Sequence, residues 1–149
     1  MLYRPNVAAI LQNDAGLILI CERRDYPGSW QFPQGGVDPG ETFEAALLRE
    51  LWEELSLEPA HYVVEEQRGP YRYVFPAHFT KKRYAGQEQV YFRLRFLGPE
   101  AAINVATAHP EFRAVRWIEP ARFLLAWLPE MKHGVYQQVF RDFFGVNLA

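Results

Sequence analysis

Residues 35–57 read GGVDPGETFEAALLRELWEELSL, and this stretch decides how the chain is organised. Its second half has helical periodicity: Phe43, Leu47 and Leu51 recur every four residues, and Leu48 and Leu55 widen the stripe. The pattern predicts a helix over 42–55, with Pro59 just past its end. Glu50, Glu53 and Glu54 stand at i, i+3 and i+4, so they leave the helix on one face, at the rim of the apolar stripe. Like charges at this spacing cost a helix about 0.2–0.5 kcal/mol per pair, and Arg49 offsets part of that. Such a cluster of hard oxygen ligands suits Mg²⁺ or Mn²⁺. No Cys or His group with zinc spacing competes for the role. Taken alone, a Glu-rich helix face is solvated surface, but the loop before it changes the balance. Gly35, Gly36 and Gly40 let the backbone bend tightly and approach a ligand. Glu41 can reach back toward Arg49 and fix the loop against the helix.

The N-terminal side reads as strands. Residues 7–11 are apolar, Asn13-Asp14-Ala15-Gly16 is a turn, and residues 17–21 are apolar again, which is a hairpin pattern. A second turn, Asp25-Tyr26-Pro27-Gly28-Ser29, leads into Trp30-Gln31-Phe32, and residues 33–40 read as a Gly- and Pro-rich loop. On the C-terminal side, strands are expected at 62–67, 71–75, 89–97 and 114–118; Val90, Phe92, Leu94 and Phe96 alternate within the third. Pro120 opens a short helix, and 134–144 form a terminal one. This order predicts an α/β (α+β) chain with a mixed sheet between helices. With 149 residues, 49% of them hydrophobic, the chain can bury one core, so residues 1–149 are expected to form a single domain.

The formal net charge of -2 gives no global pull toward nucleic acid or anionic lipid. A polyanion must therefore be held locally, through metal, and nothing calls for a DNA duplex or a membrane as partner. The lone Cys21 sits in an apolar run and reads as a buried thiol in a reducing cytoplasm. A cytoplasmic location also follows from the lack of a clean signal segment or a bilayer-length apolar run. The two serines, Ser29 and Ser56, are not in a nucleophile-elbow context, and there is no Walker loop or Rossmann fingerprint.

The spacing Gly, five residues, Glu, seven residues, Arg-Glu-aliphatic-x-Glu-Glu-x-Gly-aliphatic resembles the Nudix box. Gly35, Glu41, Arg49, Glu50, Leu51, Glu53, Glu54 and Leu57 fill its places. Ser56 departs from it, standing where the family has a helix-closing Gly, at some cost in C-cap stability. The resemblance implies an α/β/α sandwich on a mixed sheet. It implies that Glu50, Glu53 and Glu54 are the metal-binding, catalytic carboxylates, that the Gly35 carbonyl joins them, and that Gly35, Glu41 and Arg49 are the scaffold of the box.

The likeness extends beyond the box. Tyr3-Arg4-Pro5-Asn6-Val7, Ser29-Trp30-Gln31-Phe32-Pro33-Gln34-Gly35-Gly36, Arg72-Tyr73, Gly86-Gln87-Glu88-Gln89 and Pro110-Glu111-Phe112 are similar to bacterial RNA 5′-pyrophosphohydrolases and the related dinucleoside polyphosphate hydrolases. That branch implies Arg24, Ser29, Gln34, Tyr73 and Lys132 as substrate contacts, and Glu111 as a fourth acidic group that binds another metal or takes a proton from water. Blander readings stand beside these. Arg24 can be a solvated turn charge, Tyr73 a sheet aromatic beside Tyr71, and Glu111 an exposed loop carboxylate. Lys132 reads as a plain surface lysine unless the terminal helix folds over the site. Lys81-Lys82-Arg83 reads as a solvated patch, and Phe92, Phe96, Trp117 and Phe140 as core.

The implied reaction is attack of water at phosphorus with an anhydride phosphate leaving, assisted by Mg²⁺ (or Mn²⁺), with more than one ion once substrate is bound. Glu50 or Glu111 is the base. The implied substrates are dinucleoside polyphosphates or 5′-triphosphorylated RNA. A housekeeping nucleoside triphosphate pyrophosphatase is the enzyme alternative. A catalytically silent Nudix module that binds nucleotide or RNA is the other, and the intact carboxylate set argues against it.

Overall fold

The computed structural model describes residues 2–79 and 83–149, so Lys81 and Lys82 lie outside the described residues. Among these residues, seven strands form one mixed sheet. β1 (Tyr3–Gln12) is its centre. One side of β1 pairs in parallel with β6 (Gly86–Phe96), from Tyr3 opposite Gly86 to Gln12 opposite Arg95. The other side meets two short partners: β4 (Gln34–Gly36), antiparallel at Asn6 to Ala8, and β2 (Ile18–Arg23), which touches β1 only at Gln12 opposite Ile18. β2 then turns away to pair with β3 (Trp30–Gln31) and β7 (Phe112–Ile118). β5 (Tyr62–Val74) closes the far edge against β6.

The expected turn is present, but the strands it joins pair only at Gln12 and Ile18 before β2 leaves for β7; the turn has a local cause. The Asn13 side chain accepts from the amides of Ala15 and Leu17, and Gly16 takes a positive φ of 79°. Two sequence expectations need correction. Residues 33–40 are not all loop, because Gln34 to Gly36 add β4 to the sheet; without apolar alternation, a three-residue strand carries no period-two signal. The strands expected at 62–67 and 71–75 are one strand, β5, interrupted only by register shifts around Glu65 and Gly69-Pro70. A bulged strand keeps its pairing across a Gly-Pro pair that reads as a break.

The alternation of β1 sorts the core into two layers. Val7, Ala9 and Leu11 face α1 (Phe43–Leu55) and pack with Leu47, Leu51, Leu55, Phe92 and Leu94. Ala8 and Ile10 face the other way, toward Phe32, Tyr91 and the C-terminal helix α2 (His133–Phe144), with Phe123, Tyr136 and Phe140. A sheet covered on both faces takes apolar residues in unbroken runs, and β1 has such a run from Val7 to Leu11. The helix stripe differs slightly from the sequence expectation: Ala46 is buried, while Phe43 and Leu48 are 38% and 40% exposed. The short helix expected at Pro120 is a 3₁₀ turn, the first of three over Pro120–Arg122, Leu125–Trp127 and Glu130–Lys132. These turns carry the chain across the sheet and deliver Lys132 to the site. No helix among the described residues is long and apolar enough to cross a membrane.

Candidate active site

Three pieces of chain meet at one end of the sheet: β4, α1 and the loop before β7. Thr42 caps α1 by accepting from the Ala45 amide at 3.1 Å. At the other end Ser56 adopts a left-handed φ of 63°, where the family pattern has Gly, and the Leu57 amide bonds back to the Leu51 carbonyl at 3.1 Å. The Ser56 hydroxyl donates to the Asn104 carbonyl at 2.9 Å, so it ties the segment after β6 to the helix end.

Arg49 is the hub of the scaffold. Its Nε and Nη2 donate to the two Glu41 oxygens at 2.8 and 2.9 Å, and Nη2 also reaches the Gly36 carbonyl at 2.8 Å. Its Nη1 donates to Glu50 at 2.8 Å and to Glu53 at 3.3 Å. Glu41 accepts the Asp38 amide as well, and these donors, Arg49 foremost, hold its carboxyl down at about 2. Glu41 thus reaches Arg49 across the loop. A bidentate Arg–carboxylate pair fixes direction as well as distance, so β4, the loop and α1 are tied together. At Gly35 a Cβ would overlap the Glu50 carboxylate and displace it. At Gly36 a Cβ would strike the Arg4 guanidinium.

The box glutamates stand in three different environments. Glu53 is half exposed and bends toward Arg49. The Glu50 side chain is only 12% exposed. Burial raises its pKa, with Arg49 pulling the other way and the Glu53 charge adding to the rise. Glu54 is buried at 4% exposure, and neither of its oxygens has a hydrogen-bond donor among the described residues. Burial raises its pKa most, and the charges of Glu50 and Glu111 push it further. Glu111, on the loop before β7, therefore joins the box glutamates. The buried Cys21 lies near enough for the Glu54 charge to add to the effect of burial, and both push the thiol up, leaving it inert.

A buried carboxylate facing two others without a donor is incomplete unless a proton or a cation sits among them. The donor set, all anionic oxygen, fits a hard divalent cation. Among the described residues no three acidic, histidine or cysteine side chains are already drawn around one point as a ready-made cage. Arg49 holds Glu50 and Glu53 at 2.8 and 3.3 Å.

Two cavities adjoin here: Glu111 lines both, and Glu50, Glu53 and Glu54 line the smaller. The larger, about 710 Å³, is walled by Arg23, Arg24, Gln34 and Lys132. Arg24 is an exposed side chain on this wall, and its backbone amide bonds to the Glu111 carbonyl at 2.9 Å, which ties the two loops together. Gln34 is held by Gln89, which also donates to Asn6 at 2.9 Å. Lys132 is no plain surface lysine: it is 6% exposed, because the 3₁₀ turns and α2 fold over this end of the sheet. Burial first, then the neighbouring Arg23 charge, lowers its pKa to about 8, with Asp25 opposing.

Two expected substrate contacts are not brought to this cavity. Ser29 donates its hydroxyl to the Trp127 carbonyl at 2.8 Å, pinning the β2–β3 turn to the 3₁₀ turns. Tyr73 is a buried sheet aromatic whose hydroxyl donates to Gln87 at 2.7 Å. Sequence reasoning missed Arg23, Asp25 and Gln31, which also line the cavity. Arg23 and Asp25 flank Arg24 in the turn, so that one charged cluster was the available signal.

The sequence pattern of the family described as NUDIX domain matches residues 2–143. An RNA pyrophosphohydrolase of Roseobacter denitrificans is 44% identical over 147 residues, covering 95% of this chain and 91% of that protein. An RNA pyrophosphohydrolase of Rhodospirillum rubrum is 40% identical, covering 96% and 88%. In fold, the chain is similar to a Caenorhabditis elegans Ap4A hydrolase binary complex, with a TM-score of 0.66 at 19% identity over 95% of this chain and 98% of that one. The box scaffold, the gathered carboxylates and these relatives lead to one conclusion: the chain belongs to the NUDIX family and is a hydrolase of phosphoanhydride bonds.

Proposed function

We propose that this chain, acting as one catalytic domain over residues 1–149 in the cytoplasm, is a pyrophosphohydrolase that cleaves phosphoanhydride bonds in 5′-triphosphorylated RNA or in dinucleoside polyphosphates. The observation that carries the reading is Glu54, buried without a donor between Glu50 and Glu111, beside a cavity walled by cations. Two curated relatives named RNA pyrophosphohydrolase support the RNA arm.

Glu50, Glu53, Glu54 and Glu111 would hold Mg²⁺, with the Gly35 carbonyl beside them; Mn²⁺ fits the same oxygens. When bound, the cation supplies positive charge to phosphate oxygens and acidifies water. Arg24 and Lys132 neutralise the phosphate chain, and Gln34 orients it. Glu111, exposed at the junction of the two cavities, accepts the proton of the attacking water. The water oxygen bonds to phosphorus, the anhydride P–O bond breaks, and the leaving phosphate carries away the electron pair. Arg49 and Glu41 hold Glu50 and the glycine loop still, which is where a mainly positional catalysis gains its rate.

Mg²⁺-dependent cleavage tests this on a panel of triphosphorylated RNA, dinucleoside polyphosphates, nucleoside triphosphates and nucleotide sugars. It is read as phosphate or pyrophosphate released from triphosphorylated RNA and nucleoside triphosphates, and as mononucleotide products from dinucleoside polyphosphates and nucleotide sugars. These products are expected from the first two. No product from any of the four would replace the enzyme reading with that of a nucleotide-binding module.

A further inference from the structure

Behind the larger cavity a polar network runs through the core. Alternation along the strands gathers it. Asn6 shares a face of β1 with Ala8 and Ile10, on the side of α2. Gln89 stands opposite Asn6 on β6, Tyr91 follows two residues on, and Gln34 stands opposite Ala8 on β4. Asn6 and Gln89 are each 2% exposed, and Tyr91 is 1% exposed. Amides buried in an apolar layer cost free energy unless they find partners, and here the partners are one another. The Tyr91 hydroxyl donates to Gln89 Oε1 at 3.3 Å. Gln89 Nε2 donates to Asn6 Oδ1 at 2.9 Å and to Gln34 Oε1.

The network has a direction. A carboxamide has one acceptor end and one donor end, and a hydroxyl can turn either way, so neither sets a polarity by itself. A backbone N–H can only donate. The Phe32 amide donates to the Tyr136 hydroxyl at 3.0 Å and occupies its oxygen. The Tyr136 hydroxyl also meets that of Tyr91 and directs its own proton there. Tyr91 then gives its proton to Gln89 Oε1, and Gln89 offers only N–H to Asn6 and Gln34. Gln34 is left with its oxygen turned inward and its NH2 turned to the cavity that Arg24, Glu111 and Lys132 also line. A flipped Gln34 would set its NH2 against that of Gln89 and its oxygen against a phosphate, and both contacts are repulsive.

We propose that Gln89 is a positioning residue: it turns the Gln34 carboxamide so that a donor, not an acceptor, faces the phosphate chain, with the direction set by the Phe32 amide through Tyr136 and Tyr91. The inference rests on the reading in which Gln34 orients that chain, and deepens it. Gln89 is too buried to touch substrate and acts only through Gln34.

The experiment is a double-mutant cycle over wild type, Gln34→Ala, Gln89→Met and the pair, all with Mg²⁺. It measures kcat/KM for whichever of triphosphorylated RNA and diadenosine tetraphosphate wild type cleaves, and Kd for inorganic tripolyphosphate by calorimetry. Gln89→Met keeps the volume and removes the donor. Each single change should lower kcat/KM about tenfold and weaken tripolyphosphate by a similar factor. The pair should match Gln34→Ala within about twofold. Tyr91→Phe removes the group that fixes Gln89. It should cost about threefold in wild type and nothing measurable beside Gln34→Ala, and it carries the test if Gln89→Met does not fold. Single variants of Gln89 and Tyr91 at wild-type values, or losses that multiply in the pair, overturn the proposal. Wild type that cleaves neither substrate removes the hydrolase reading, and the tripolyphosphate cycle then decides the role of Gln89 alone.

Discussion

Arg49 and Glu54 lie five residues apart on one helix, in opposite electrostatic states. Around Arg49 the donors to Glu41, Glu50, Glu53 and the Gly36 carbonyl are all engaged. Around Glu54 both carboxylate oxygens lack a donor, and the groups it faces are acids. The first region is finished by folding alone and serves as a frame. The second is finished only by something the chain does not encode, so folding strain and chemical capacity share an address.

The largest effect expected from breaking this contrast is at Glu54. Glu54→Gln should lower turnover roughly 10²–10⁴-fold. The same change should stabilise the metal-free protein by about 1–3 kcal/mol, since an amide can donate to Glu50 or Glu111. Because burial raises the folded pKa of Glu54, the folded protein keeps that proton above the ordinary carboxylate range; its stability contribution is full below that range and is lost as pH rises through and above it. Metal-free wild type should thus lose denaturant midpoint from acid toward neutral pH. Mg²⁺ should restore it, and Glu54→Gln should flatten the slope. A variant that destabilises at neutral pH without metal would contradict this picture of Glu54.

The finished region gives the next effect. Glu41→Gln keeps the shape but weakens the grip of Arg49 on the loop, and kcat should fall about 10–100-fold, as for partners that orient metal ligands. Little change in kcat would show that the frame is ornamental. Third comes Lys132. Lys132→Met should raise KM about 10–100-fold through loss of a charged donor. Its wild-type ammonium is present below a pKa of about 8, so KM should climb as pH passes above that value, and the climb should vanish in the variant. The smallest effect is at Ser56. Ser56→Gly removes left-handed strain of about 1 kcal/mol and loses a hydroxyl bond of about the same size. The net change in stability should stay within about 0.5 kcal/mol.

The contrast also explains what could be read from the sequence. The frame is local: Glu41 and Arg49 lie eight residues apart, and helical spacing alone aligns Glu50, Glu53 and Glu54. The two-layer sheet was legible because β1 and β6 carry long apolar patterns. β4 was not, since three residues of Gln and Gly have no period to detect. Lys132 could not be ranked as buried from its polar neighbourhood, because its burial comes from elements packed across the sheet. Tyr73 carried the opposite ambiguity: a strand position allows either face, and in the structure its hydroxyl donates to Gln87 on the neighbouring strand. Ser56 was read as a loss relative to Gly; its bond to Asn104, 48 residues away, offsets the strain.

One bond has a consequence for biosynthesis. The Phe32 amide, two residues before Gln34, donates to the Tyr136 hydroxyl at 3.0 Å across 104 positions of sequence. A growing chain has made every glutamate of the cluster by residue 111, yet it lacks Lys132 and the tyrosine that fastens the approach to the glycine loop. That bond, and the burial of Lys132, can form only after the sheet and α1 have been synthesised. A half-made copy on the ribosome would hold the acidic residues, Arg24 and Gln34 but not the buried lysine.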